Sequence, residues 1–131
     1  MRSMRCLRAA VIAIAALTAW ACNNDPLQVS TIQLGKSLNP DNSVATFTTS
    51  FSPRDTVYLS VLTSASGAGT LETKWYYGST QVSDMKKDVS YHGAAATEFR
   101  FHNTAGFPAG AYRVEVFLDG KSAGERTFKV E

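Results

Sequence analysis

The stretch 107-FPAGAYRVEVFLDG-120 decides the fold of this chain. From position 112 to 118, every second residue is apolar. Successive side chains of a β-strand point to opposite faces, so this period of two is typical of a strand with one buried face. The pair Asp119-Gly120 is the strongest short signal for a β-hairpin, so a second strand is predicted to run to Val130. We therefore expect the rest of the chain to complete a sandwich that buries one face of this hairpin. The inward positions would be Tyr112, Val114, Val116 and Leu118, and the outward positions Arg113, Glu115 and Phe117.

The chain upstream repeats this pattern of short strands and turns. No amphipathic helix is predicted after residue 21, and turn signals recur about every ten residues, which is typical of a sandwich or barrel. Segment 64–70 (SASGAGT) is predicted to be a flexible loop, and 102–111 a corner rich in Gly and Pro. In 81–91 we expect short edge strands that Lys86 and Lys87 protect from aggregation. The other predicted strands cover 29–34, 44–51, 56–63, 71–77 and 95–101, which gives an all-β fold of about seven strands.

The first residues have the features of a secretory signal peptide. Three arginines precede an apolar run at 9–17, which is too short for a stable membrane span. Small residues lie at the third and first positions before Cys22. We therefore predict a cleaved signal peptide at 1–21, a polar tether at 22–28 and one folded domain at 29–131.

The residues around Cys22 resemble a bacterial lipoprotein signal. In that family a cysteine after small residues is acylated and becomes the mature N-terminus, and the pattern prefers Leu, a small residue, then Ala or Gly. Here the three positions hold Ala19, Trp20 and Ala21, so Trp20 departs from the pattern. The resemblance implies lipid attachment at Cys22, and Asn23 after it favours the periplasmic face of the outer membrane. The alternative is ordinary cleavage after residue 21, which would leave a free thiol on a periplasmic or secreted soluble protein.

The charge balance argues against nucleic acid as a partner. Removal of Arg2, Arg5 and Arg8 leaves ten basic against eleven acidic residues, a net charge of −1. The only remaining basic pair is Lys86-Lys87. A nucleic-acid-binding surface would need a larger basic patch.

Several residues in the domain resemble those of an immunoglobulin-like sandwich. Gly110-Ala-Tyr112 resembles the tyrosine corner, and Val114 lies where antibody domains carry their second cysteine. Trp75 is similar to the buried tryptophan of the third strand, and Leu59 or Val61 would occupy the place of the first cysteine. The resemblance implies a sandwich whose disulfide is replaced by aliphatic packing.

Motifs for catalysis or metal binding are absent from the sequence. His92 and His102 do not lie in a ligand-spaced motif, even with Asp84 and Asp88 near the first. No Gly-x-Ser-x-Gly motif is present, and the glycines of 64–69 lack the Lys-Ser/Thr ending of a phosphate loop. We therefore predict a non-enzymatic protein without cofactor or metal.

One surface is a candidate for binding. If Trp75 and Tyr112 face the core, their strand neighbours face outward. The immunoglobulin-like resemblance implies that these strands share a sheet with the last strand, so the outward residues would lie together with Thr127 and Lys129. Aromatic residues beside arginine are enriched at protein interfaces. Alternatively, segment 81–91 covers these aromatics, or they are ordinary exposed side chains. The leading hypothesis is an envelope lipoprotein that displays a protein-binding module; the alternatives are an inhibitor or ligand binder that acts through loops 64–70 and 107–110, and a structural subunit of an envelope complex. The predicted binding surface comprises Lys74, Tyr76, Arg113, Glu115 and Phe117.

Overall fold

A computed structural model of the chain describes residues 26–131. The predicted signal peptide and Cys22 lie outside the described residues. The described part contains eight β-strands and no helix. The strands are β1 (Gln28–Gly35), β2 (Ser50–Phe51), β3 (Val57–Ser64), β4 (Gly67–Tyr77), β5 (Thr80–Tyr91), β6 (Ala95–Phe101), β7 (Gly110–Leu118) and β8 (Lys121–Val130).

The strands form two sheets that pack face to face. The small sheet has the order β1-β3-β6, and the large sheet has the order β2-β8-β7-β4-β5. All pairings are antiparallel except that of β2 with β8, which is parallel. The predicted all-β sandwich is confirmed, with eight strands where about seven were expected.

The core lies between the sheets and is centred on Trp75 of β4. Its indole is fully buried and stacks on Phe101 of β6 at a centroid distance of 4.6 Å. The indole N–H donates to Thr73 Oγ1 at 2.9 Å, so the ring's one polar group is satisfied inside the core. The residues predicted at the two cysteine positions are fully buried aliphatic side chains, as expected: Leu59, Val61 and Val114.

Tyr112 forms the predicted tyrosine corner. Its hydroxyl donates to the carbonyl oxygen of Pro108, four residues upstream, at 2.7 Å. This bond ties the 102–109 connection to the start of β7. Burial raises the pKa of the Tyr112 phenol above its usual value, and the nearby Tyr77 adds to the shift.

The Asp119-Gly120 hairpin is also confirmed. Both residues have positive φ angles, 52° and 80°, as a two-residue turn between twisted strands requires. Asp119 additionally accepts a hydrogen bond from the Thr70 backbone N–H at 2.9 Å through Oδ1. The aspartate therefore fastens this turn to the neighbouring strand β4.

The prediction of a strand at 44–51 was wrong over most of its length. Only Ser50–Phe51 pair as a strand, because the chain leaves the small sheet here and joins the edge of the large one. The preceding loop, 36–49, folds back on β1, where the Lys36 N–H donates to the Thr46 carbonyl oxygen at 2.9 Å, and its residues 41–44 reach the outer face of the small sheet. The Val44 N–H donates to Gln33 Oε1 at 3.0 Å, and a Cβ at Gly35 would come within 2.4 Å of the Val44 side chain.

Two other predictions are corrected by strand pairing. Segment 64–70 is not a flexible loop, because Gly67 already pairs with Tyr91 and only residues 65–66 form the turn. Segment 81–91 is not a set of short strands but one long edge strand, β5. Its pairing with β4 is interrupted by a bulge at Val82.

The strand directions give the sandwich two distinct ends. Leu27 and the turns at 65–66, 92–94 and 119–120 lie at one end, which we call the N-terminal pole. The connections at 78–79 and 102–109 lie at the opposite end, the distal pole.

Candidate functional site: the outer face of the large sheet

The structure brings all five predicted surface residues together. Lys74 and Tyr76 lie on β4, directly across from Glu115 and Arg113 on β7. Phe117 lies one step further along β7, and all five side chains are half-buried on the same outer face. Because residues two apart on a strand share a face, alternation predicted which residues of each strand face outward. The immunoglobulin-like resemblance was needed to place the two strands in one sheet.

The side chains of this outer face hold one another in place. The Arg113 guanidinium lies over the Tyr76 ring at 4.2 Å and contacts Glu115 Oε1 through Nη1 at 2.7 Å. The hydrogen bond to Glu115 raises the pKa of Arg113 above its usual value. Lys74 Nζ lies 5.3 Å from the centre of the Phe117 ring. These cation–π contacts restrict the rotamers of both aromatic side chains and leave less entropy to lose on binding.

Connections between neighbouring strands of the large sheet are too short to cover this outer face. The β4–β5 and β7–β8 turns have two residues each, at 78–79 and 119–120. Segment 81–91 continues the sheet beside β4 rather than folding over it, so the alternative that it covers Tyr76 and Phe117 is excluded. The small sheet differs, because residues 41–44 of loop 36–49 reach its outer face.

A shallow depression of about 390 Å³ continues the outer face toward the distal pole. Arg113 forms one side of it, and Thr127 and Lys129 of β8 form the other. These two β8 residues were predicted to lie on this face, and the pairing of Thr127 with Arg113 and of Lys129 with Ala111 confirms it. Thr49 also lines the depression and was missed, because it belongs to an irregular loop without periodicity.

The distal pole carries a second concavity of about 420 Å³. Its floor consists of the core aromatics Phe101, Phe107 and Tyr112, and its rim includes the exposed side chains of Tyr77 and Val82. Segment 107–110, one of the two candidate binding loops, borders this concavity. The other candidate, 64–70, lies at the N-terminal pole and is largely strand.

The two histidines do not approach each other. His92 follows β5 at the N-terminal pole, whereas His102 follows β6 at the distal pole, where its Nδ1 lies 3.3 Å from Thr56 Oγ1. Within residues 26–131, no three side chains of His, Cys, Asp and Glu are grouped so that they could hold a metal ion. The same part of the chain contains no helix of the length and hydropathy needed to cross a membrane.

Comparison with known proteins supports the fold alone. No protein-family model matches the chain, and no curated protein matches its sequence. An immunoglobulin-like protein from Pseudomonas aeruginosa superposes with a TM-score of 0.57 at 13% identity, over 83% of this chain and 99% of that one. The chain also resembles part of the alkylpurine DNA glycosylase AlkC from Pseudomonas fluorescens, with a TM-score of 0.53 at 11% identity over 80% of this chain and 30% of the glycosylase. The domain is therefore an immunoglobulin-like sandwich.

Proposed function

We propose that this protein is a bacterial envelope lipoprotein, anchored through an acylated Cys22, whose immunoglobulin-like domain is a non-catalytic module that binds another protein. The observation that carries the proposal is the open outer face of the large sheet. It gathers Arg113 and two aromatic side chains in fixed orientations, and these residue types are enriched where interfaces concentrate their binding energy.

The charge of the outer face indicates the kind of partner. Arg113 and Glu115 retain side-chain exposures of 33% and 26%, and Lys74 lies directly across from Glu115. A face with both signs of charge and an aromatic centre fits a protein surface better than a polyanion such as nucleic acid. The partner would be a protein of the periplasm or of the envelope.

The anchor is tested by replacing Cys22. The Cys22→Ala variant should lose incorporation of a labelled fatty acid and leave the membrane fraction, because the thiol is the proposed acyl acceptor. Cys6→Ala is the matched control and should keep both, since Cys6 belongs to the predicted signal peptide. Unchanged fractionation of Cys22→Ala would exclude the anchor.

The outer face is tested by photo-crosslinking in intact cells. A photoreactive residue at Phe117 should yield a defined product, and the Arg113→Glu substitution in the same chain should abolish it. The matched control is the same residue at Tyr58, a half-buried side chain on the outer side of the small sheet. Identical products from Phe117 and Tyr58, or products insensitive to Arg113→Glu, would show that this face does not bind the partner.

Loop-based binding is a second candidate function, favoured by one observation. The concavity at the distal pole exposes Tyr77 and Val82, two of the three large hydrophobic side chains that are exposed in residues 26–131. A photoreactive residue at Val82 that captures a product unaffected by Arg113→Glu would support this candidate instead.

A further inference from the structure

β5 is the last strand of the large sheet. Phe101 of β6 stacks on Trp75 of β4, so β6 lies over β4, and β5 contacts β6 through its inward side chains, with Tyr91 Oη 2.6 Å from Thr97 Oγ1. The Lys87 side chain makes a second contact between these strands. It points inward, lies over the Phe99 ring at 5.0 Å and donates to the Glu98 carbonyl oxygen of β6. Within residues 26–131, the edge of β5 that points away from β4 pairs with no other strand.

The free edge of β5 is long, and it is regular after the bulge at Val82. The strand covers Thr80–Tyr91 without proline or glycine, so no backbone N–H is missing from it. Edge strands in soluble proteins are usually short or carry an unpaired inward charge that prevents further pairing. Here the inward charge of Lys87 is neutralised within the chain by Glu98, whose Oε1 lies 3.2 Å from Lys87 Nζ.

The outward charges of β5 alternate in sign. Asp84, Lys86 and Asp88 follow one another on the exposed face. Asp88 accepts a hydrogen bond from Thr70 at 2.8 Å. Lys86 is 4.0 Å from Glu72 and 65% exposed, so its ammonium group remains largely available to a partner.

This charge pattern distinguishes among the registers in which two β5 strands can pair. A twofold axis at Met85 places Asp84 of each copy opposite Lys86 of the other and brings no like charges into opposition. An axis at Lys86 opposes two Lys86 side chains and sets Asp84 against Asp88. An axis at Lys87 also sets Lys86 against Asp88, but it brings two Lys87 side chains into opposition on the inward face. Opposite charges across a strand pair are stabilising and like charges are destabilising, so only the axis at Met85 gains charge pairs without a penalty.

We propose that two copies of this protein associate through antiparallel pairing of their β5 edges, centred on Met85, into a continuous ten-stranded sheet. The partner is a second copy because the edge is complementary to itself. This proposal does not rest on the proposed binding function, since its backbone pairing uses the edge of the large sheet. Its charge pairs do lie on the outer face, where Asp84 is across from Lys74. One strand pair buries less than the roughly 1,200 Å² of a standard interface, so the dissociation constant is expected on the order of micromolar.

The proposal is tested with charge reversals in the full chain, purified in mild detergent and studied by analytical ultracentrifugation. The wild type should dimerise as its concentration rises. D84K and K86D should each weaken the dimer about tenfold or more, because each converts both ion pairs into like-charge pairs. An equimolar mixture of the D84K and K86D chains should form a heterodimer, since one chain then carries lysines at both positions and the other carries aspartates.

The mixture separates pairing from folding defects. D84K places a lysine across from Lys74 of the same chain, and K86D places an aspartate across from Glu72 of the same chain. Mixing the two chains does not relieve this repulsion within each chain. Restored association can therefore come only from contacts between chains. A wild type that is monomeric at all concentrations, a dimer insensitive to both reversals, or a mixture that stays monomeric would each overturn the proposal.

Hydrogen exchange gives a readout that does not depend on substitutions. Amides of β5 that point away from β4 should become protected as the wild-type protein concentration increases. Protection that appears elsewhere while the β5 amides stay unchanged would assign the dimer to another surface and contradict the proposed edge pairing.

Discussion

At the scale of single residues, Trp75 connects the two sheets. It is fully buried, stacks on Phe101 and meets Phe128 edge-on, with 6.1 Å between the ring centroids. Phe128 in turn stacks on Tyr112 with a centroid distance of 5.2 Å, so the indole and the tyrosine corner belong to one aromatic cluster. No disulfide is needed here, because the aromatic and aliphatic side chains fill the space between the sheets.

Trp75→Ala should therefore cost roughly 3–5 kcal/mol of unfolding free energy, since the large cavity cannot be refilled by rigid neighbouring rings. Urea denaturation followed by circular dichroism measures it. Tyr76→Ala, on the opposite face of the same strand, is the matched control and should cost no more than about 1 kcal/mol. Equal midpoints for Trp75→Ala and the wild type would mean that Trp75 is not a central core residue.

At the scale of elements, sequence periodicity predicted the strands that have one buried and one exposed face. β6 was predicted at 95–101 and is found there, because Thr97, Phe99 and Phe101 alternate with Glu98 and Arg100. β7 followed from the same alternation, and β8 followed from the hairpin signal of Asp119-Gly120. Local pattern is sufficient where a strand's environment is the same along its length.

Strand predictions failed where pairing partners, and not local pattern, determine the structure. Residues 67–70 are rich in glycine and resemble a loop, but pairing with β5 holds them in a strand. Residues 44–49 are β-prone and yet irregular, because Gly35 permits the close approach of Thr46 and Val44 to β1. In both cases the deciding contact comes from a distant part of the sequence.

The residues of the candidate surface were predictable from local pattern and from one resemblance. They lie on two strands with clean alternation, and the resemblance to an immunoglobulin-like sandwich placed those strands in a shared sheet. That the outer face of this sheet is not covered by a loop was not predictable, because it depends on where loop 36–49 lies. The proposed pairing of the β5 edge was not predicted from the sequence, since Lys86 and Lys87 favoured the interpretation of a protected edge.

At the scale of the whole molecule, the position of β1 determines how an anchored chain would meet the membrane. β1 belongs to the small sheet, so the chain enters the domain on the side opposite the open outer face. Residues 23–27 span at most roughly 17 Å when extended. A lone domain held by this tether can stand with its distal pole away from the membrane.

Dimerisation would change that orientation. Two copies on one membrane are equivalent only if their twofold axis is normal to it, and that axis is perpendicular to the ten-stranded sheet. The strands then lie parallel to the membrane, with the small sheets facing it and both outer faces directed away. Antiparallel pairing places the distal pole of each copy beside the N-terminal pole of the other.

The anchor and the dimer together make a prediction about Ser79, in the turn at the distal pole. A fluorophore at Ser79 should be quenched weakly by a lipid-headgroup quencher at low protein density in vesicles, because β4 separates it from the N-terminal pole by roughly 35 Å. Quenching should increase with protein density as dimers form, and it should stay low in the D84K variant. A fluorophore at Gly93, at the N-terminal pole, is the control and should be quenched strongly at every density. If the protein dimerises but the quenching at Ser79 does not change with protein density on the vesicles, the orientation deduced from the position of β1 is wrong.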